Sequence, residues 1–381
     1  MTVLAHACSQ ATDAPERTAG TAPSVRHLGP NWYAAVMGTA IVANAGAALP
    51  LHAPWLRGVY ALVWALSALM LVTLLAARTV HWTRHGDQAR RQLLDPAVAP
   101  FYGCLAMALL AVGAGTLAVG GDVIGRPGAL AAAGTLWILG TLVGLAAAAG
   151  IPYLMVTRHR IEAGGAAPAW LLPLVAPMVS AATGPALVAE LPAGQWQAAL
   201  LFACYALFGM SLLATLLVLP LVLSRLFHHG PLPLVLTPTL FLVLGPLGQS
   251  TTAVNNLADA APGAVGAPYA HAMSAFAVLY GVPVTGFALL WLAIATAMVV
   301  RAFRRGMGFA MTWWAFTFPL GTCVTGAAGL ARHTGLAAFD GLALVLYAAL
   351  VTAVAVAGTR TALGLARGRL LAPPQPRPAT G

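Results

Sequence analysis

ALVWALSALMLVTLLAA, Ala61 to Ala77, runs without a charged side chain and with Leu, Val and Ala throughout. A helix crossing the hydrocarbon of a bilayer needs roughly 20 apolar residues, and the segment around this stretch, about 57 to 78, has that length. The same composition pervades the chain of 381 residues: 60% are apolar and only 7% charged, with a mean hydropathy of +0.84, where soluble domains carry about 25% charged residues. The chain reads as an integral membrane protein. Sorting it by span length gives ten segments, at about 31 to 50, 57 to 78, 99 to 120, 129 to 156, 169 to 190, 196 to 224, 233 to 258, 268 to 300, 309 to 331 and 336 to 364. The expected fold class is therefore all-α, with ten transmembrane helices.

The basic excess is entirely arginine, because the sequence holds no lysine. A basic chain can signal nucleic-acid binding, but here the positions point to membrane orientation. With ten spans, Arg17, Arg26, Arg78, Arg84, Arg90, Arg91, Arg158, Arg160, Arg225, Arg301, Arg304, Arg305, Arg360, Arg367, Arg369 and Arg377 share one side, and only Arg57, Arg126 and Arg332 the other. Positive loops stay inside, so a multi-pass protein of a bacterial-type inner (plasma) membrane with both termini cytoplasmic is expected, and no nucleic-acid partner. Residues 1–29 lack the apolar core of a secretory signal and, like the proline-rich residues 366–381, read as disordered cytoplasmic tails around a transmembrane domain of residues 30–365. Cys8, Cys104, Cys204 and Cys323 are far apart and form no CxxC pair, which suggests neither a disulfide framework nor a zinc site.

Segments 1, 3, 5, 7 and 9 recur at a spacing of roughly 65 to 76 residues, each linked briefly to its partner. Five consecutive helical hairpins close most simply as a quasi-fivefold ring around a central pore. Glycine, proline and small hydroxyls suit the axis and leucine the lipid. The odd segments carry MGTAIVANAG (Met37 to Gly46), PMVSAATGPA (Pro177 to Ala186), GPLGQSTTAVNN (Gly245 to Asn256) and TFPLGTCVTG (Thr317 to Gly326), which places them inside, although Pro152, Pro220 and Pro283 punctuate even segments too.

The most polar intramembrane cluster is Gln249, Ser250, Thr251, Thr252, Asn255 and Asn256. Such neutral groups suit a solute path or, equally, interhelical hydrogen bonding. No Asp, Glu, Lys or Arg falls in the middle of a span. Coupled carriers usually need an intramembrane carboxylate or histidine; the nearest histidine is His271, close to an outer end, so a passive path is favoured over a pump. Cation channels typically line their filters with acids, and the arginine-rich face would concentrate anions within a Debye length of about 8 Å. Anions are the expected permeants. His81 and His85 have an i, i+4 spacing but no third ligand and sit in an arginine-rich loop; His228 and His229 read as a helix end; Gly140 and Gly144 form a close-packing GxxxG. No metal, cofactor or catalytic residue is expected.

One motif remains, WWAFTFPLG, Trp313 to Gly321, where Pro319 removes a backbone donor and distorts the helix beside Phe318. By itself Phe318 reads as core packing or as a gate. Together with GPNWYAAVMGTAIVANA (Gly29 to Ala45) and GPLGQS (Gly245 to Ser250), the motif resembles the signatures of the tellurite-resistance/dicarboxylate transporter family, which includes plant slow anion channels, malate permeases and sulfite exporters. The likeness in organisation spans roughly residues 30 to 365. It implies five hairpins around a pore, a homotrimer, and a gate made by the phenylalanine before the proline, here Phe318 with Pro319. On that footing Gly38, Thr39, Ser180, Thr183, Gly184, Gly248, Gln249, Ser250, Thr251, Thr317 and Gly321 are the expected pore lining. The alternatives are a proton-coupled dicarboxylate or sulfite carrier and, from another class, a membrane scaffold or enzyme. Nothing in the sequence chooses among C4-dicarboxylate, sulfite, chloride, nitrate and tellurite.

Overall fold

The computed structural model describes residues 25–371 apart from positions 52, 163 and 369. The expected disordered tails lie largely outside these residues. Twelve α-helices follow in order: α1 (Tyr33–Ala48), α2 (Pro54–Arg84), α3 (Gly86–Leu94), α4 (Gly103–Gly115), α5 (Gly121–Ile124), α6 (Arg126–Thr157), α7 (Leu171–Thr183), α8 (Gln195–His229), α9 (Leu244–Ala260), α10 (Ala267–Arg304), α11 (Phe318–Thr334) and α12 (Ala337–Ala366). Among the described residues there is no strand, and the chain is all-helical.

Eight helical stretches of the described residues are long and apolar enough to cross a membrane. The first and ninth expected segments, α1 of 16 residues and α11 of 17, are not among those eight. A repeated local device divides all five inner segments. A 3-10 stretch enters each of α1, α4, α7, α9 and α11: Pro30–Trp32, Ala99–Tyr102, Pro168–Trp170, Leu234–Val243 and Met311–Phe316. Prolines fit such entries because the first turn leaves its N–H groups unpaired anyway: Pro30, Pro100 and Pro168 stand in the first turn of three of them, while Pro238 falls inside the fourth. The fifth has its proline one step later. The continuous span with a kink at Pro319 expected from the sequence is instead two pieces, and Pro319 sits in the first turn of α11.

The sequence pattern also sorts helices by burial. About four-fifths of the apolar window is buried in Ala99–Ile124, Pro168–Glu190 and Leu234–Ala260 (78%, 83% and 78%), against 22% in α2, α6, α10 and α12 and 28% in α8. Most of α1 and α11 is buried as well. Leucine-rich helices thus face outward and the glycine- and threonine-bearing ones inward, as side-chain size dictates where backbones must approach.

The inner helices pack in sequence: α1 against α4, α4 against α7, α7 against α9, α9 against α11, and α11 back against α1. Each outer helix touches its own inner partner and the inner helix of the next hairpin, α12 reaching round to α1. Trp64 on α2 donates its indole N–H to Thr116 Oγ1 at 3.0 Å, and Trp137 on α6 donates to the Ser180 carbonyl at 3.0 Å. The same clamp therefore recurs one repeat later.

The two ends of the bundle differ in charge. His27, Gln88, Arg91, Met311 and Leu370 line one surface cleft, so the N-terminal segment, α3 and the end of the chain share a face, here called the terminal face. Arg57, Arg126 and Arg332 cluster on the opposite face.

Candidate functional site

A cavity of about 640 Å³ opens toward the face opposite the termini and takes its lining from all five inner segments: Ile41 and Asn44 of α1, Ala114 of α4 and Leu117 just after it, Ala182 and Thr183 of α7, Gln249, Thr252 and Asn256 of α9, and Thr325 of α11. Helical geometry explains the choice. Residues 249, 252 and 256 are separated by three and four positions and share one face of α9, whereas Ser250, Thr251 and Asn255 point elsewhere.

The hydrogen bonds of this lining are mostly inward. Thr183 Oγ1 donates to the Val179 carbonyl at 2.8 Å and Thr325 Oγ1 to that of Thr322 at 3.0 Å. Thr252 Oγ1 reaches the Gly248 carbonyl at 3.0 Å, the Thr322 carbonyl at 3.2 Å and Thr325 Oγ1 at 2.7 Å. Asn44 donates to the carbonyl of Ala111 at 2.9 Å and Asn256 to that of Ala182 at 2.8 Å. Two carboxamide oxygens, Asn44 Oδ1 and Gln249 Oε1, are buried without a hydrogen-bond partner, and Gln249 is only 4% exposed.

The mouth carries charge in pairs. Arg57 bonds Asp122, Arg126 meets Glu190 at 2.7 Å, and Arg332 meets Asp259 at 3.0 Å with His333 at 3.1 Å from the same carboxylate. The partners lie 65, 64 and 73 positions apart, one repeat, so each pair ties neighbouring hairpins at their outer ends. The pairs are largely solvent-exposed, which screens them and leaves the arginine heads accessible.

Phe318 is 2% exposed and does not line the cavity. It opens α11, three residues before Gly321, where Ile41 occupies the space a side chain would need. Ile41 belongs to the cavity lining. Phe318 thus lies about 4.5 Å of helix rise from the level where Ile41 meets Gly321, toward the terminal face.

Of the lining expected from the sequence, Thr183 and Gln249 meet at the cavity. The glycines turn toward neighbouring helices: a methyl on Gly38 would meet Thr317 Oγ1 and the Trp314 ring, one on Gly184 would lie 2.5 Å from Cys204 Sγ, and one on Gly248 2.5 Å from the Cys323 nitrogen. Thr39, Ser250, Thr251 and Thr317 bond carbonyls of their own preceding turn, and Ser180 Oγ accepts from Thr141 at 2.9 Å. The sequence reading missed Asn44 and Thr325 as lining residues, and it named Thr252 and Asn256 without separating them from their neighbours. The three-and-four spacing was the available signal.

The histidine pair is placed differently from the sequence reading. α2 continues to Arg84, so His81 is a buried helical residue and not part of a loop, with Nδ1 3.0 Å from the Val25 carbonyl. Gly140 and Gly144 pack against Leu110 and Ala176. His271 is exposed. Among the described residues no group of three His, Cys, Asp or Glu could hold a metal ion, and Cys104, Cys204 and Cys323 are free thiols.

Comparison with known proteins bears on this geometry. The family model described as voltage-dependent anion channel, SLAC1, matches residues 27–362, the whole helical bundle. An uncharacterized transporter of Methanocaldococcus jannaschii is 27% identical over 79% of this chain and 82% of its own length. A protein of Trichophyton rubrum named sulfite efflux pump SSU1 is 27% identical over 83% of this chain and 85% of its own, and one of the same name from Candida albicans is 23% identical over 78% and 65%.

Proposed function

Because the chain belongs to the SLAC1 family of voltage-dependent anion channels, we propose that it moves small anions across the membrane passively, along the axis enclosed by its five inner helices. The observation that carries this reading is the cavity itself, which every inner segment helps to line and to which α1, α7, α9 and α11 bring polar uncharged side chains, with Phe318 just under one turn of α11 before Gly321, the residue that Ile41 of the lining covers. The closed cycle of inner-helix contacts supports a quasi-fivefold ring, and counting α1 and α11 with the eight long stretches gives ten crossings. The split of arginines between the two faces favours both termini in the cytoplasm of a cell whose plasma membrane holds the protein. A homotrimer is part of the same reading.

Phe318 is the gate in this proposal. A phenyl ring filling a narrow passage leaves a permeating anion without hydration until the ring turns aside. The ring sits at the start of α11, next to a 3-10 stretch and not inside a rigid helix, so a change at that junction would move it. The remaining expected lining, Gly38, Thr39, Ser180, Thr183, Gly184, Gly248, Gln249, Ser250, Thr251, Thr317 and Gly321, divides in this view. Thr183 and Gln249 meet the anion, and the others set how closely the inner helices approach and therefore the width of the path.

The passive mode rests on the part of the lining that comes from the inner helices, where Ile41, Asn44, Thr183, Gln249, Thr252, Asn256 and Thr325 carry no group that titrates near neutral pH. Relatives named as sulfite efflux pumps make sulfite the first candidate permeant, ahead of C4-dicarboxylates, chloride, nitrate and tellurite. The test is flux of these anions into vesicles holding the purified chain, with and without an imposed proton gradient. Sulfite flux that persists without the gradient supports the passive reading; flux abolished by collapsing it would replace the channel with a coupled carrier.

A further inference from the structure

The long apolar run of α2 ends at Ala77, and Arg78, Thr79, Trp82 and Thr83 follow it. These four and Leu75 line a cleft of about 340 Å³, whose other walls are Pro30 and Tyr33 at the entry to α1 and Tyr102 and Leu105 at the entry to α4. Steps of three and four residues put the α2 members on one helix face. Thr79 and Thr83 are exposed and Trp82 is 40% exposed, so the cleft opens on the lipid-facing flank of the bundle, near the terminal face. It lies where hydrocarbon gives way to headgroups, the depth at which tryptophan and tyrosine gather.

The charge at this cleft is unbalanced. Arg78 is 5% exposed and gives three hydrogen bonds, all to neutral oxygens, those of Leu28, Gln92 and Tyr102. A guanidinium has five N–H groups, which leaves two unused. Among the described residues no carboxylate pairs with it: Asp87 is held by Arg26, and Asp95 accepts from the Ala97 backbone N–H. Taking a cation out of water is costly, and breaking a buried pair shows how much a counter-charge matters. Tyr33, 3% exposed, lines the same cleft, and its hydroxyl makes no hydrogen bond among the described residues.

We propose that this cleft holds the headgroup of an anionic phospholipid from the leaflet bordering the terminal face. The phosphate supplies the counter-charge that Arg78 lacks, and an acyl chain runs along the α2 flank past the exposed Val72. Basic pockets between spanning helices suit such headgroups. Phosphatidylglycerol brings a net negative charge, whereas the choline of phosphatidylcholine would set a second cation beside the guanidinium. A lipid seated there bridges α2 to the entries of α1 and α4 and so ties the first two hairpins together. The inference rests on the membrane spans alone and is independent of what passes along the axis.

The full chain, purified in detergent and stripped of lipid, is titrated with short-chain phosphatidylglycerol or phosphatidylcholine, and bound lipid is counted by native mass spectrometry. Replacing Arg78 would also break the bonds to Leu28 and Gln92, so the cleft is filled instead by Thr79→Trp, at an exposed position whose hydroxyl bonds only the Leu75 carbonyl of its own helix. Thr83→Trp fills it from the next turn and repeats the test independently. The first phosphatidylglycerol should bind the wild type about tenfold more tightly than the first phosphatidylcholine, the lower end of what a hydrogen bond to a charged group is worth. Both tryptophan variants should lose that preference. A wild type without the preference overturns the proposal, and so do folded variants that keep it. Inorganic phosphate that displaces phosphatidylglycerol at equal concentration overturns it as well, and makes the cleft a site for a free oxyanion.

Discussion

A methyl group on Gly248 would stand 2.5 Å from the backbone nitrogen of Cys323, so α9 and α11 meet backbone to backbone. On the far side of the contact a methyl on Gly326 would lie 3.1 Å from the Gly248 carbonyl. Gly248→Ala should therefore push the two helices apart and destabilise the bundle by about 1 to 3 kcal/mol, the usual range for overpacking. Gly245→Ala, one turn earlier with nothing within 4 Å of the added methyl, should be close to neutral. Thermal unfolding in detergent compares the two; equal melting points would mean that the contact tolerates the extra carbon.

These two glycines also mark how far the sequence could be read. The spans were legible because a lipid-facing stretch such as Ala61 to Ala77 has no other physical use, and the inside position of the glycine-bearing segments followed from the same argument. The direction of each glycine did not, since Gly245 and Gly248 look alike until a neighbouring helix is placed beside them. Likewise Gln249, Ser250, Thr251 and Thr252 form one polar run in the sequence, and only the three-and-four spacing tells which of them share a face. The mouth pairs Arg57 with Asp122 and Arg126 with Glu190 sit one repeat apart, a relation hidden while the arginines were counted for orientation alone.

Arg78 shows a related limit. It was counted as one more cytoplasmic charge, yet it is 5% exposed and donates to the Leu28 carbonyl at 2.6 Å, to Gln92 Oε1 at 2.9 Å and to the Tyr102 hydroxyl at 3.2 Å. It pins the segment before α1 onto α3 and the second hairpin. Arg78→Met should cost about 2 kcal/mol through the bonds it leaves unmade, and Arg78→Lys should not restore them, because an ammonium lacks the planar fork that reaches three acceptors at once. Unfolding temperature and the rate of proteolytic cleavage ahead of Pro30 measure the effect; a lysine variant as stable as the wild type would assign Arg78 a charge role only.

At the opposite face, Glu190 holds Arg126 at 2.7 Å with the arginine side chain 83% exposed. Glu190→Gln should leave stability within about 1 kcal/mol, the range for exposed pairs, and raise anion entry by exposing an unpaired guanidinium at the cavity mouth. The gain should be a few-fold at low ionic strength and vanish near 1 M salt, where the Debye length falls to about 3 Å. Vesicle flux measured across that salt series is the check, and an increase that persists at high salt would point to a change of shape and not of charge.

Phe318 gives the most direct test of the path. Its ring is buried at the junction where the 3-10 stretch ending at Phe316 gives way to α11, with Phe316 itself turned aside against Phe241, ring centroids 4.9 Å apart. The two phenylalanines are thus separable by mutation. Phe318→Ala should raise anion flux by tenfold or more, because removing the ring opens the passage and spares the anion the loss of its water, and it should also lower the melting temperature, since a buried Phe→Ala change costs about 3 to 5 kcal/mol. Phe316→Ala should show the stability loss without the flux. That difference separates a gate from a packed core residue: equal flux in the two variants, both folded, would return Phe318 to the core and move the constriction elsewhere along the axis.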